Sequence, residues 1–428
     1  MVFFKLGFHL WKSKRFSNIL LIILMAMSLF MISICVGILN NQFSMFRAMR
    51  KFDKAETYYY MCNTIDDMEI LAYDEAERTG VMPNIPTFEE YLAEITKNVG
   101  VKADYLYMET VPAYQGDEET YEKGVTYVAV SNAVGEKLNA GGLKEGKWFT
   151  DAPKQEGILN VVALEGGYNV GDKFNLCLFS GNFNDEGYPL YDKVVCLVTG
   201  VLPSGADMLL PGEMNTKAQL NTLLKKLSSD VENGLMSVLY FSYEDSAVQA
   251  YRKNMNICHT CFIYKDTSAK ESDIQKTFTN MKKYGWLLNF DEIYGYSYET
   301  VYEQVAAVLP FLVGIFLMTV VCLMCIMVLN SADYLKTYSV YYLCGMNWSD
   351  MRKILLSYSL IMVFGAGVLT GIIHIATTMA DTFGGMTVTN GYNLLAVCGV
   401  AVLIVAVMVF VPYRMLAKSS PKQALTEN

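Results

Sequence analysis

Histidine is scarce in this 428-residue chain. Its three copies, His9, His259 and His374, lie far apart and fall in different compartments of the topology argued below. A Ser/His/Asp arrangement for nucleophilic catalysis therefore cannot be assembled. The phosphate-cradling pattern G-x-x-x-x-G-K-[ST] is absent as well. The nearest stretch, Gly166–Phe174, has Gly171-Asp172-Lys173, with the lysine displaced and no hydroxyl residue behind it. The chain is thus not expected to hydrolyse nucleotide itself. There is no basic stripe of the kind that tracks a nucleic-acid backbone. No internal repeat at a fixed period and no low-complexity tract is visible.

Charge is missing altogether from four stretches. Ile19–Leu39, Val305–Leu329, Ile354–Thr377 and Leu394–Val411 contain no Asp, Glu, Lys or Arg. Hydrophobic residues make up 53% of the chain, above the roughly 45–50% usual in soluble domains. The excess sits in these runs. About 20 apolar residues at 1.5 Å rise cross the hydrocarbon of a bilayer. The fourth run is short, but Tyr392 and Tyr413 bracket it as interfacial anchors. The first run follows Lys12, Lys14 and Arg15, yet no small-x-small cleavage site comes after it. It is expected to be an uncleaved anchor rather than a signal peptide.

Charge is also unevenly divided. Residues 41–300 hold 24 Lys/Arg against 38 Asp/Glu, while the remainder is basic, with 10 against 5. Long acidic domains cross membranes largely regardless of charge, whereas short basic loops stay inside. The segment Ser331–Lys353 carries Lys336, Arg352 and Lys353, and the tail carries Arg414, Lys418 and Lys422; both are expected in the cytoplasm. The Ala376–Asn393 loop has no Lys or Arg and is expected outside. The expected order is an amphipathic helix along the inner leaflet (1–15, with Phe4, Phe8 and Trp11 on one face), a first span (16–40) and an outer domain (41–304). A second span (305–330), a cytoplasmic loop (331–353), a third span (354–377), a short outer loop (378–393), a fourth span (394–413) and a cytoplasmic tail (414–428) complete it. The fold class is membrane α-helical, four transmembrane helices with an inserted extracellular or periplasmic α+β domain.

Within that domain, Asp66–Arg78 and Thr87–Asn98 read as helices, the second with a capping box from Thr87 to Glu90. From Tyr105 strand signals dominate: Gly124–Val130, Leu159–Leu164, Phe174–Phe179, Lys193–Val201, Leu235–Phe241 and Ile257–Tyr264. Lys217–Ser228 and Lys270–Tyr284 read as helices. Asn40–Ala55 and Ser297–Ala307 contain no Pro or Gly and are expected to extend the flanking spans as helical stalks.

Three stretches resemble the permeases of the FtsX/MacB type, the transmembrane subunits of type VII ABC systems. Leu138–Phe179 followed by Asp192–Leu202 resembles their outer core domain. Gly146, Trp148 and Phe149 precede a strand there, and a Val170-Gly171-Asp172 turn leads into the next. Lys336–Asn347 looks like the cytoplasmic loop after the second span, where a helix ends in Leu-Gly; here Cys344-Gly345 stands in that place, and Thr337 replaces a common glutamate. Pro412–Asn428 is similar to the family's Arg…Pro…Ala-Leu ending, with Ser420 as N-cap, Pro421 at the first helical position and Gln423 three after the cap.

The resemblance implies a permease that couples ATP hydrolysis in a separate cytosolic ATPase dimer to movement of the outer domain, with two permease copies, identical or not. ATP would be bound by the partner, with no cofactor held by this chain. Family members export or extract peptides, lipopeptides, toxins or lipoproteins, or regulate cell-wall hydrolases. Tyr338, Tyr341, Tyr342 and Gly345 recur at helical spacing, so a short helix with an aromatic face, continued by Cys344, Met346 and Asn347, is expected to contact the ATPase. Gly146, Gly171 and Asp172 are expected to shape turns of the outer domain. Cys258-His259-Thr260-Cys261 resembles half a metal or redox site, but one pair cannot fill four zinc positions. Cys62, Cys177 and Cys196 bring the outer-domain count to five, which argues against a fully paired disulfide framework. The alternatives are a regulator of an extracellular hydrolase and a membrane-anchored sensor without an ATPase.

Overall fold

The computed structural model describes residues 2–81, 83–97, 99–114, 123–139, 142–166, 168–186, 188–210, 217–226, 237–379 and 391–418. Most of the expected short outer loop (380–390) and the tail residues Ser420, Pro421 and Gln423 lie outside them. The chain divides into two compact units, one of residues 1–42 with 302–428 and one of residues 43–301.

The first unit is helical. It contains α1 (Val2–Ser13), α2 (Arg15–Gln42), most of α9 (Phe290–Leu343), α10 (Trp348–Met379) and α11 (Gly391–Lys418). Four helical stretches are long and apolar enough to cross a membrane: Arg15–Gln42, Phe290–Ile326, Ser349–Thr377 and Asn393–Arg414. The chain is therefore a multi-pass membrane protein. Large apolar side chains such as Phe311, Met318, Phe364 and Val402 are exposed, while Leu21, Met25, Ile354 and Met362 form a buried core. Several buried polar side chains are paired from helix to helix. Ser28 Oγ and Thr319 Oγ1 are 2.6 Å apart, Tyr358 OH donates to Asn18 Oδ1 at 2.7 Å, and Thr370 Oγ1 bonds to the Ala26 carbonyl at 3.1 Å. In hydrocarbon such groups have no water to turn to, so they glue helices together.

The second unit carries the sheet. Its strands are β1 (Thr57–Cys62), β2 (Val101–Tyr114), β3 (Lys123–Val130), β4 (Glu145–Gly146), β5 (Ile158–Leu164), β6 (Lys173–Phe183), β7 (Pro189–Leu202), β8 (Asp207–Leu209), β9 (Leu224–Lys226), β10 (Ser237–Ser242), β11 (Ile257–Lys265) and β12 (Gly285–Asn289). The main sheet runs β12-β1-β11-β2-β3-β10-β5-β7-β4, and β6 pairs with both β7 and β2. β3–β10 and β5–β7 are parallel, and the other pairs are antiparallel. Alternating residues such as Val125, Tyr127, Leu159, Val161, Leu176 and Phe241 supply one core among these strands. A second core lies under α4 (Asn63–Thr79), α5 (Phe88–Thr96) and α8 (Glu271–Met281), and includes Tyr60, Phe88, Leu92 and Phe278, while α6 (Asn132–Leu138) lies against β10. The Thr87–Glu90 capping box is present at the start of α5.

Two expected helices are cut short. The stalk over Asn40–Ala55 stops at Gln42, resumes for one turn as α3 (Ser44–Ala48) and then folds into turns before β1. Phe52 is the cause: it is buried, stacked 5.1 Å from Phe262 and 5.4 Å from Phe290. Burying that ring outweighs a few residues of helix propensity. Likewise Lys217–Ser228 yields only α7 (Leu220–Leu223) before β9. There Lys226 Nζ reaches Ser44 Oγ at 2.7 Å and the buried Asp207 at 3.5 Å.

Candidate functional site

The segment Tyr338–Asn347 is the end of α9 and the turn into α10. Helix α9 does not stop at the apolar run; it continues to Leu343. Its end is a Schellman cap: Met346 N donates to Tyr341 O at 3.1 Å, and Gly345 N to Tyr342 O at 3.0 Å. Gly345 has φ 91°, the left-handed conformation that side-chain-bearing residues resist. Tyr341 and Met346, the pair that such a cap brings together, both pack against the helical core. Asn347 then caps the next helix, its Oδ1 accepting from Asp350 N at 3.0 Å. Asp350 in turn pairs with Lys353 at 3.1 Å. The turn is therefore held on both sides by hydrogen bonds rather than left as a slack loop.

The aromatic face expected to be exposed is split. Tyr338 is only 2% exposed and packs with Leu10, Met351, Ile354 and Tyr358. It is a core residue of its own unit, because α1 and α10 cover the side of α9 that the tyrosine spacing selects. Tyr341 is half-buried, with its ring 6.3 Å from that of Tyr338. What faces outward is Val340, Tyr342, Leu343, Cys344, Gly345 and Asn347, with Leu343 70% exposed. Sequence periodicity picked out the tyrosines but not Leu343. Its place one residue before the cap was the signal available.

Helix α1 frames the same end of the bundle. Gly7 lies so close to α10 that a Cβ there would meet Tyr358 N at 2.9 Å. Asn18 ties the corner, donating to Trp11 O at 2.8 Å while accepting from Tyr358 OH. Phe4 and Phe8 stay exposed on the far side of α1. Cations collect here: Lys353 lies 5.0 Å from the Phe3 ring, and Arg352 lies 5.1 Å from that of Tyr413 on α11.

The other residues singled out by sequence are structural in character. Gly146, with φ 82°, sits where a Cβ would clash with Thr199 O. Gly171 N donates to Val198 O at 2.8 Å, and Asp172 Oδ2 accepts from Asn169 N at 2.8 Å, closing the turn into β6. All ten cysteines are unbridged. Burial pushes the Cys258 thiol up to about 12, and Cys261 well above its ordinary value. Burial of this kind disfavours the thiolate, the form that ligates metal or acts as a nucleophile. His259 is instead held between the carboxylates of Asp66 and Glu69, one at each ring nitrogen. No group of three or more metal-ligating side chains occurs among the described residues.

No protein-family model matches the chain. No curated protein matches it either. Among solved structures, the chain is similar to the periplasmic region of MacB from Actinobacillus actinomycetemcomitans. That match has 12% identity and a TM-score of 0.28, and it covers 58% of this chain and 95% of that one.

Proposed function

We propose that the chain is the permease subunit of an ABC-type machine that works by mechanotransmission. A separate cytosolic pair of ATPases binds the outward face of the α9–α10 turn. ATP-driven closure of that pair displaces α9, and the sheet-bearing unit on the other side of the membrane responds. The observation that carries this reading is the turn itself. It combines a doubly capped, rigid backbone with an exposed apolar tip at Leu343 and a surrounding set of Lys and Arg side chains. The positive-inside rule puts such a set in the cytoplasm. Helix α9 contributes residues to both units without interruption, and a continuous helix of 54 residues extends roughly 80 Å. Pro310 lies within it and supplies a place to bend.

The free energy for movement comes from a difference in ATPase contact between two permease states. Few polar residues line the spans, and several of these are taken up by hydrogen bonds to neighbouring helices, which supports handling of cargo by the sheet-bearing unit rather than passage through the bundle. Peptides, lipopeptides and lipoproteins are the substrate classes that the sequence resemblance suggests.

The test is Leu343→Asp, which changes an exposed side chain and leaves both caps in place. Co-purification with the ATPase and stimulation of ATP hydrolysis should fall at least about tenfold, the effect of roughly 1.4 kcal/mol at an interface anchor. Gly345→Asp with Met346→Asp should do the same while also straining the cap. Undiminished ATPase binding by Leu343→Asp would reject the docking assignment.

A further inference from the structure

Helices α2, α10 and α11 leave a cavity of about 330 Å³ between them. That volume is close to the lower end of ordinary ligand pockets, about 300–1,000 Å³. It lies toward the end of α10 and the start of α11, so by position along the helices it is at the opposite end of the bundle from the α9–α10 turn. Gly367 and Gly371 form one wall. Glycines in spans commonly let helices touch, but here a Cβ at either would meet nothing within 4 Å. The opposite wall includes Val397.

Two polar side chains of the wall stand out, Asn393 and His374, the imidazole of the latter set edge-on to the Phe30 ring. Asn393 is 4% exposed. Its Nδ2 donates to the Ser33 carbonyl at 3.1 Å, which fixes which way the amide points. Its Oδ1 has no hydrogen-bond partner among the described residues. The neighbouring Thr370 hydroxyl is already engaged with the carbonyls of Ala26 and Ala366. A buried amide oxygen without a donor is costly in hydrocarbon, more so than in water. The cavity thus presents an apolar body with the Asn393 amide oxygen and the His374 imidazole in its wall.

We infer that this cavity binds an amphiphile from the bilayer, seating its apolar part against Gly367, Gly371 and Val397 and donating a hydrogen bond from a hydroxyl or ammonium group to Asn393 Oδ1. The donor belongs either to a membrane phospholipid such as phosphatidylethanolamine or to a free single-chain amphiphile such as a monoacylglycerol. This site is independent of the ATPase-docking reading.

The full chain is reconstituted in phosphatidylcholine nanodiscs, whose headgroup has no donor, and is exposed to a diazirine-bearing dodecanol or to the methyl ether of the same probe. Crosslinks are mapped by mass spectrometry. The alcohol should label residues 367–374 and 393–397 about fivefold more than the ether, the preference that one buried hydrogen bond confers. Asn393→Leu should erase that preference. Gly371→Phe, which fills open space, should suppress labelling by both probes. Block of alcohol labelling by unlabelled phosphatidylethanolamine or by monoacylglycerol supports the site and identifies the source. Equal labelling by alcohol and ether in the unaltered chain overturns the inference whether or not the variants fold, as does labelling that neither competitor reduces.

Discussion

Both units bury an apolar core, but they differ in what they leave on the surface. In the sheet-bearing unit, Tyr127, Val161, Leu176 and Phe241 are inside, and Lys, Asp and Glu cover the outside. In the helical unit Phe311, Met318, Phe364 and Val402 face outward, while Asn18, Ser28, Thr319, Thr370 and Asn393 are inside or partnered. The same chain therefore obeys two solvents. Water drives apolar side chains together in one unit. In the other, lipid is as apolar as leucine, so association rests on close packing and on hydrogen bonds with no competitor. A hydropathy profile alone reports composition. The exposed large apolar side chains, together with the hydrogen-bonded polar pairs inside, add a geometric reason to read these helices as membrane spans.

That contrast has a direct test. Phe241→Ala should destabilise the sheet-bearing unit by about 3–5 kcal/mol, since it leaves a cavity in a closed core. Phe364→Ala, at an exposed phenylalanine of α10, should change unfolding of the detergent-solubilised chain by less than about 0.5 kcal/mol. Comparable losses in thermal or denaturant unfolding would erase the distinction.

A sharper version concerns the buried polar pairs. A double-mutant cycle of Asn18→Ala with Tyr358→Phe should give a coupling of about 0.6 kcal/mol, the average for hydrogen bonds between spans, and no more than about 1.7. A coupling indistinguishable from zero would mean that packing, led by Gly7 against α10, holds that corner alone. In the sheet-bearing unit, Thr87→Ala removes one half of the capping box and should cost about 1 kcal/mol. Hydrogen exchange at the amides of Phe88–Thr96 would record the loss locally.

The smallest effect belongs to a surface pair. Lys144 donates to Glu165 at 2.5 Å, and the Ser204 amide adds a second bond, so the Glu165 carboxyl is held below the usual carboxylate range. A carboxylate lowered in the folded state adds stability above its unfolded value and loses it as pH falls through the folded one. Lys144→Met should move the Glu165 titration, followed by side-chain NMR, up toward the ordinary range while hardly changing the neutral-pH unfolding midpoint.

Much of this was readable in advance. The four spans follow from runs without charge. The capping box at Thr87 follows from two residues three apart. Strands β3, β5, β7 and β11 follow from β-branched runs bounded by turns. The candidate site was legible in part. Gly345 and Asn347 are the residue types that helix ends demand, so the turn could be located. Which tyrosines reach the surface could not, because that depends on α1 and α10 closing over Tyr338. Strand β1 and the break after Gln42 were hidden for a similar reason: their backbone is set by where Phe52 and the tyrosines of Thr57–Cys62 find burial.

By itself, then, the amino-acid order determined which segments must leave water and where the chain must turn. Those depend on composition and on the local conformational limits of glycine and the capping residues. Tertiary structure alone decided that Tyr338 belongs to the core and Leu343 to the surface, and that Asn393 keeps an unspent oxygen beside a cavity. Both outcomes turn on contacts between residues far apart in sequence, and no local pattern carries that information.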